Sequence, residues 1–207
     1  LAALGALARR EGLWFHVDGA YGAFFALTER GRRALRGIET ADSITLDPHK
    51  GLFLPYGTGA LLARDPAALR RAHASRADYM PAMQEGFEFP DFCELSPELT
   101  RDFRGLRLWL PLKLHGVGPF RDNLDEKLDL ARWAAARLRD LPGVEVVAEP
   151  QLSIVAFRLV KPGLDAEALN ALNRELVARV NARQRVLISG TTVRGAYVAR
   201  FCVLSFR

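Results

Sequence analysis

Two short apolar runs, each closed by an aspartate, constrain this chain more than any other feature. Leu13 to Val17 stops at Asp18, and Ser43 to Leu46 stops at Asp47-Pro48. A run of four to eight apolar residues bounded by turn formers reads as a buried strand. A third run, Thr58 to Ala63, follows a Pro-Tyr-Gly turn and ends at Asp65-Pro66. Helical or irregular segments lie between the runs, as parallel strands require, because parallel neighbours need a crossover connection. The expectation is an α/β fold with its chemistry at the carboxyl ends of the strands, where open α/β sheets bind ligands.

The rest of the chain changes character twice. Tyr79 to Pro97 is rich in Met, Pro, Phe, Gly and acidic residues without periodicity and reads as a long loop, a length that usually accompanies function. Arg101 to Gly116 reads as a helix. Leu124, Leu128, Ala131, Ala135 and Leu138 then recur at spacings of four and three, marking a second amphipathic helix closed by Pro142-Gly143. Strands are expected at Val144 to Ala148 and Leu152 to Val160. A helix carrying Leu169, Leu172, Leu176 and Val180 follows, started by Asp165 and Glu167, and then a hairpin of Val186–Val193 and Tyr197–Phe206 around Arg194-Gly195. Residues 1–115 are assigned to one lobe and 116–207 to a small α+β lobe.

Composition excludes several classes. With 49% hydrophobic and 26% charged residues the chain is neither fibrous nor low in complexity. A net charge of +5 raises nucleic-acid binding, but only Arg30, Arg32, Arg33 and Arg36 cluster, and the other arginines alternate with acids, so a solvated face is expected. Cys93 and Cys202 lie far apart without a CxxC pair, giving no disulfide framework or zinc site, and a cytoplasmic setting is expected. No segment reaches the roughly 20 apolar residues of a membrane span. The opening Leu-Ala-Ala-Leu has neither an initiator Met nor a basic leader, and is read as the middle of a longer protein.

The chemistry gathers at the two strand ends. Taken alone, Asp18 is more often a turn or cap residue than a catalytic one, Lys50 a surface residue, Asp47 a capped turn and His49 a packed histidine. Together Asp18 and Lys50 form a pair about 30 residues apart, roughly one βα unit. Pyridoxal phosphate needs such a pair: an amine for a Schiff base and a carboxylate that keeps the pyridine nitrogen protonated.

His16-Val-Asp-Gly-Ala-Tyr21 together with Asp42-Ser-Ile-Thr-Leu-Asp-Pro-His-Lys50 resembles the group II pyridoxal-phosphate-dependent decarboxylases, the aromatic-amino-acid and glutamate decarboxylase family. Arg101-Asp-Phe-Arg-Gly-Leu-Arg-Leu-Trp109, Thr191-Thr-Val-Arg-Gly195 and Arg200-Phe201 extend the resemblance over essentially the whole chain. It implies an aspartate-aminotransferase-like fold (fold type I), with the C-terminal part of a large cofactor-binding domain up to residue 115 and a small domain after it. Lys50 is implied as the internal aldimine lysine, Asp18 as the pyridinium partner and Ala20 as a ring contact. His49 is implied at the cofactor phosphate or substrate carboxylate, Asp47 on the phosphate side, and His16, with the least defined role, beside the cofactor. A homodimer acting on an amino acid, with no nucleic acid or membrane partner, is implied too.

Two departures from the family pattern stand out. The family's cofactor-stacking His and its Gly/Ser-rich phosphate loop have no counterpart in these residues. Phe92 aligns where animal members carry the Tyr that protonates the reacting carbon, and in relatives Phe there accompanies oxidative deamination to an aldehyde. Decarboxylation to an amine is the expected activity. An aldehyde synthase, an aminotransferase, an inactive fragment and a basic binding module remain the alternatives.

Overall fold

The computed structural model describes residues 1–74 and 91–204, and the part of the expected loop from Tyr79 to Pro90 lies outside them. The chain divides into two compact units: Leu1–Phe24 with Leu35–Gly116, and Phe25–Ala34 with Val117–Arg207.

The first unit carries a three-stranded sheet in the order β1-β2-β3, formed by β1 (His16–Asp18), β2 (Ser43–Leu46) and β3 (Ala60–Ala63). α1 (Ala2–Arg10) precedes it, and α3 (Pro48–Gly51), α4 (Pro66–His73) and α5 (Gly105–His115) follow β2 and β3. β1 and β2 are parallel, pairing His16 with Ser43 and Asp18 with Thr45. β3 is antiparallel to β2, with Ser43 opposite Ala63 and Leu46 opposite Ala60. The expectation of parallel strands throughout therefore fails at β3. Between Leu46 and Ala60 the chain makes the single turn of α3 and a Pro-Tyr-Gly bend, with no longer helix to span the sheet and carry a parallel return.

The expected burial of the first strand on both faces is also corrected. Val17 is buried while His16 and Asp18 are exposed, and Leu13 and Trp14 are 61% and 50% exposed. Paired residues share a face. His16, Asp18, Ser43 and Thr45 thus make a polar face, and Val17 faces the other way.

Two glycines let the strand ends close up. A Cβ on Gly19 would stand 2.5 Å from Ala23 Cβ and 2.9 Å from the Thr45 carbonyl oxygen, and one on Gly51 would stand 2.7 Å from Phe24 Cβ. Only a residue without a side chain lets the turn after β1 lie against β2 and α3 against the segment that follows.

The second unit is a four-stranded antiparallel sheet, order β4-β5-β7-β6, packed with two long helices. Its strands are β4 (Val144–Val146), β5 (Ile154–Leu159), β6 (Ser189–Val193) and β7 (Ala196–Cys202), and its helices are α2 (Glu29–Ala34), α6 (Gly118–Arg139) and α7 (Ala166–Ala182). On α6 the expected stripe is present, with Leu124, Leu128, Ala131 and Ala135 buried, and Lys127 buried among them. Ala131, Ala135 and Val155 form one core cluster and Phe157, Ile188 and Ala199 another.

α7 is tied to the sheet by asparagines. Asn173 accepts from Leu159 N at 2.7 Å and donates to Leu159 O and Leu169 O. Asn181 brackets Ile188, and Asn170 bonds Gly195 O and Tyr197 N. As expected, Asp165 caps α7 through Ala168 N. The hairpin turn is Arg194-Gly195, both at positive φ, as the tight turn that suits twisted strands demands.

Candidate functional site

The three-stranded sheet brings Asp18, Asp47, His49 and Lys50 to one edge, while His16 stands at the start of β1. β1 delivers Asp18 at its carboxyl end, and the neighbouring parallel strand β2 runs into the one-turn helix α3 that presents Asp47, His49 and Lys50 at the same end of the sheet. The sequence dictates this locally. Asp47 interrupts the apolar run, and Pro48 at the first helical position supplies a preset φ and needs no hydrogen-bond acceptor.

Asp18 is exposed, and Ala20 N donates to its Oδ1 at 3.1 Å, which orients the carboxylate within the turn. Its second oxygen has no protein donor among the described residues, so it is free to accept from a ligand.

Lys50 donates from Nζ to Asp47 Oδ2 at 2.5 Å. The Asp47 side chain is 16% exposed and that of Lys50 is 42% exposed. His49 Nδ1 lies 2.7 Å from Thr58 O; a carbonyl only accepts, so Nδ1 carries the hydrogen. Its Nε2 faces Asp47 Oδ2 at 3.8 Å, and its ring meets Tyr56 edge-on at 5.1 Å.

His16 is held by groups the sequence did not flag. Ser43 Oγ accepts from Trp14 Nε1 at 2.8 Å and contacts His16 Nδ1 at 2.7 Å, while Thr45 Oγ1 lies 3.2 Å from His16 Nε2. Both ring nitrogens are engaged, so the imidazole plane is fixed along the β1–β2 pair. The signal was present in the register: Ser43 and Thr45 alternate on β2 opposite His16 and Asp18. Thr58 and Tyr56, which hold His49, were likewise not anticipated.

Phe92 opens a short 3₁₀ turn, Phe92–Glu94, capped by Asp91, and is 62% exposed. Arg101 donates to its carbonyl. Of the arginine cluster, Arg30 pairs with Asp125 and Asp129, Arg33 with Glu29, and Arg32 donates to Ala26 O and Leu27 O. Three of its four guanidinium groups thus already have partners within the second unit. Among the described residues no group of three or more His, Cys, Asp or Glu could hold a metal ion, and no helix is long and apolar enough to cross a membrane.

An exposed carboxylate with a free oxygen, an amine and the oriented His49 imidazole at one strand-end edge, with His16 on the same sheet face as Asp18 at the start of β1, fit the polar ends of a pyridine aldehyde phosphate. Comparison with known proteins agrees. A family model described as the pyridoxal-dependent decarboxylase conserved domain matches residues 1–160. An aromatic-L-amino-acid decarboxylase of Bacillus atrophaeus is 37% identical over 203 residues, covering 97% of this chain and 42% of the relative. A phenylacetaldehyde synthase of Arabidopsis thaliana is 30% identical over 205 residues, covering 98% and 42%. The structure of Oryza sativa TDC with PLP and tryptamine superposes with a TM-score of 0.88 at 28% identity, over 97% of this chain and 42% of that one. The chain spans about two fifths of the length of these relatives.

Proposed function

The chain belongs to the pyridoxal-dependent decarboxylase family, and from that membership we propose that the whole protein removes the α-carboxylate of an L-amino acid as carbon dioxide, leaving the amine. The observation that carries this reading is the pairing of strand ends, with Asp18 closing β1 and Lys50 following the parallel neighbour β2 at the same edge of one sheet.

Pyridoxal phosphate, when bound, supplies the electron sink that accepts the pair left as the carboxylate departs. The protein's own groups do the rest. Lys50 is the covalent anchor, a primary amine on a flexible stem that can reach the ring aldehyde. Asp18 would hold a proton on the pyridine nitrogen through its free oxygen and so support the sink by opposite charge. Ala20 would pack on the ring, and its N–H holds the Asp18 carboxylate in place. His49, with Nδ1–H committed to Thr58 O, would donate from Nε2 to the phosphate or the substrate carboxylate as the imidazolium. Asp47 lies beside them on Lys50, and His16, locked between Ser43 and Thr45, lines the same face. Residues 1–115 are assigned to the cofactor-binding domain and 116–207 to the small domain, in a cytoplasmic homodimer.

A second reading is favoured by Phe92. Its ring has no hydroxyl to donate a proton, and one relative is named a phenylacetaldehyde synthase. In that case carbon dioxide leaves, dioxygen takes two electrons and becomes hydrogen peroxide, and water replaces the nitrogen, so that the products are an aldehyde and ammonia. Incubating the full-length protein with aromatic L-amino acids and pyridoxal phosphate, then measuring carbon dioxide, amine, aldehyde and oxygen, separates the two. Amine matching carbon dioxide supports decarboxylation, aldehyde with oxygen uptake supports the second reading, and no carbon dioxide with any amino acid sinks both.

A further inference from the structure

Among the described residues four helical segments start from an aspartate at the N-cap, and three of those carboxylates cap. Asp65 accepts from Ala67 N at 2.9 Å, Asp91 from Cys93 N at 3.2 Å and Asp165 from Ala168 N at 2.8 Å. Asp47, the fourth, makes no side-chain cap bond to α3. Its Oδ2 is given to Lys50 Nζ instead. The main chain covers part of the missing duty, since Lys50 N and Gly51 N both donate to Asp47 O. His49 N is left without a partner among the described residues. It is the amide of the helix's second residue, the position an N-cap aspartate serves in α4 and in the 3₁₀ turn at Phe92.

We propose that Asp47 is a positioning residue for Lys50, a latch whose carboxylate holds the free ammonium at the end of β2 and turns to cap His49 N once Lys50 lets go. One carboxylate has two competing donors within reach, an ammonium three residues on and an orphan amide two residues on, and each is an ordinary partner for it. Holding the amine keeps a long, flexible side chain at the sheet edge, so that fewer orientations need be searched when an aldehyde arrives. The capping alternative stabilises α3 after release, so the turn survives the departure of its ion pair. The purpose of the latch rests on the reading of Lys50 as the cofactor lysine, but its geometry does not.

The test uses the whole protein freed of cofactor. Brief treatment with acetic anhydride followed by peptide mass mapping reads the acetylation of Lys50 against the exposed Lys113 and Lys161. Asp47→Asn, which retains a good cap residue, is expected to raise Lys50 acetylation about fivefold relative to those references, the scale of a partly shielded ion pair. In Lys50→Met the freed carboxylate caps, and hydrogen exchange at the His49 amide slows several-fold; adding Asp47→Ala to that variant removes the slowing. Unchanged acetylation in Asp47→Asn overturns the ion-pair half of the proposal. Unchanged His49 exchange in Lys50→Met overturns the switch, and with raised acetylation it leaves Asp47 a holder of Lys50 that never turns to cap. Cofactor trapped on another lysine, with both responses intact, would defeat the cofactor role of Lys50 and leave the latch standing.

Discussion

Gly19→Ala perturbs the site through its backbone. The added Cβ would sit 2.5 Å from Ala23 Cβ, 2.9 Å from Thr45 O and 3.2 Å from Ile44 Cγ2. Carbon atoms rest at about 3.5–4.0 Å, so the turn must withdraw from Ala23 by about 1 Å. Neither principal obstacle is the free end of a side chain. Thr45 O belongs to β2, and Ala23 is held because its N–H donates to Gly19 O at 2.9 Å. Overpacking of this kind costs about 1–3 kcal/mol. The residue displaced with it is Asp18, and a shift of about 1 Å in a positioning group can cost roughly 10²-fold in turnover. Gly118→Ala is the control, because nothing lies within 4 Å of its Cβ and it opens α6. That change is expected to be neutral, or stabilising by up to about 1 kcal/mol. Urea unfolding and kcat of the full-length protein with each variant decide the matter. If the two midpoints coincide with the wild-type value and activity is equal, the close approach of the β1 turn to β2 is refuted.

Other perturbations reach further into the molecule. Asn173→Ala removes three hydrogen bonds from a residue only 1% exposed and orphans both polar groups of Leu159, so urea unfolding should show a loss of about 3 kcal/mol; under 1 kcal/mol would mean these bonds are not made. Ser43→Ala takes the shared partner from Trp14 and His16 and should cost about 1–2 kcal/mol, with altered imidazole nitrogen shifts in NMR at His16; unaltered shifts would contradict the network. The hydrogen bond from Arg30 holds the Asp129 carboxyl below its usual value of 3.8, against the opposing effect of burial. A depressed acid contributes stability that is present above the unfolded value and lost as pH falls through the folded one. Wild type and Asp129→Asn should therefore differ at neutral pH and converge below about pH 3.8; a constant gap down to acid pH would contradict the pairing.

The site was more legible in the sequence than the sheet around it. Apolar runs ending in Asp18 and Asp47 announce strand ends, because a buried strand must stop where a carboxylate needs water, and β1 and β2 end there. The direction of β3 was not legible: its composition is that of a strand either way, and the lack of a crossover helix in the 47–59 connection shows only in the structure. The His16 network escaped because hydroxyl partners are set by register, and register becomes readable only once β1 and β2 are known to be parallel. Inclusion of Phe25–Ala34 in the second unit has no compositional mark, since it depends on Arg30 meeting two aspartates about 100 residues later. The asparagine ties of α7 were hidden for a similar reason, since polar residues on a helix read as its solvent face until the sheet edge they bond is in place.

The role proposed for Lys50 as carrier of the cofactor is tested directly by covalent trapping. Borohydride reduction of the full-length enzyme loaded with pyridoxal phosphate, followed by peptide mapping, fixes the ring covalently to whichever amine held it. The account predicts the label on the peptide containing Asp47-Pro48-His49-Lys50, and none in Lys50→Ala. Label on Lys113, Lys127 or Lys161 instead, or full labelling retained in Lys50→Ala, would contradict it.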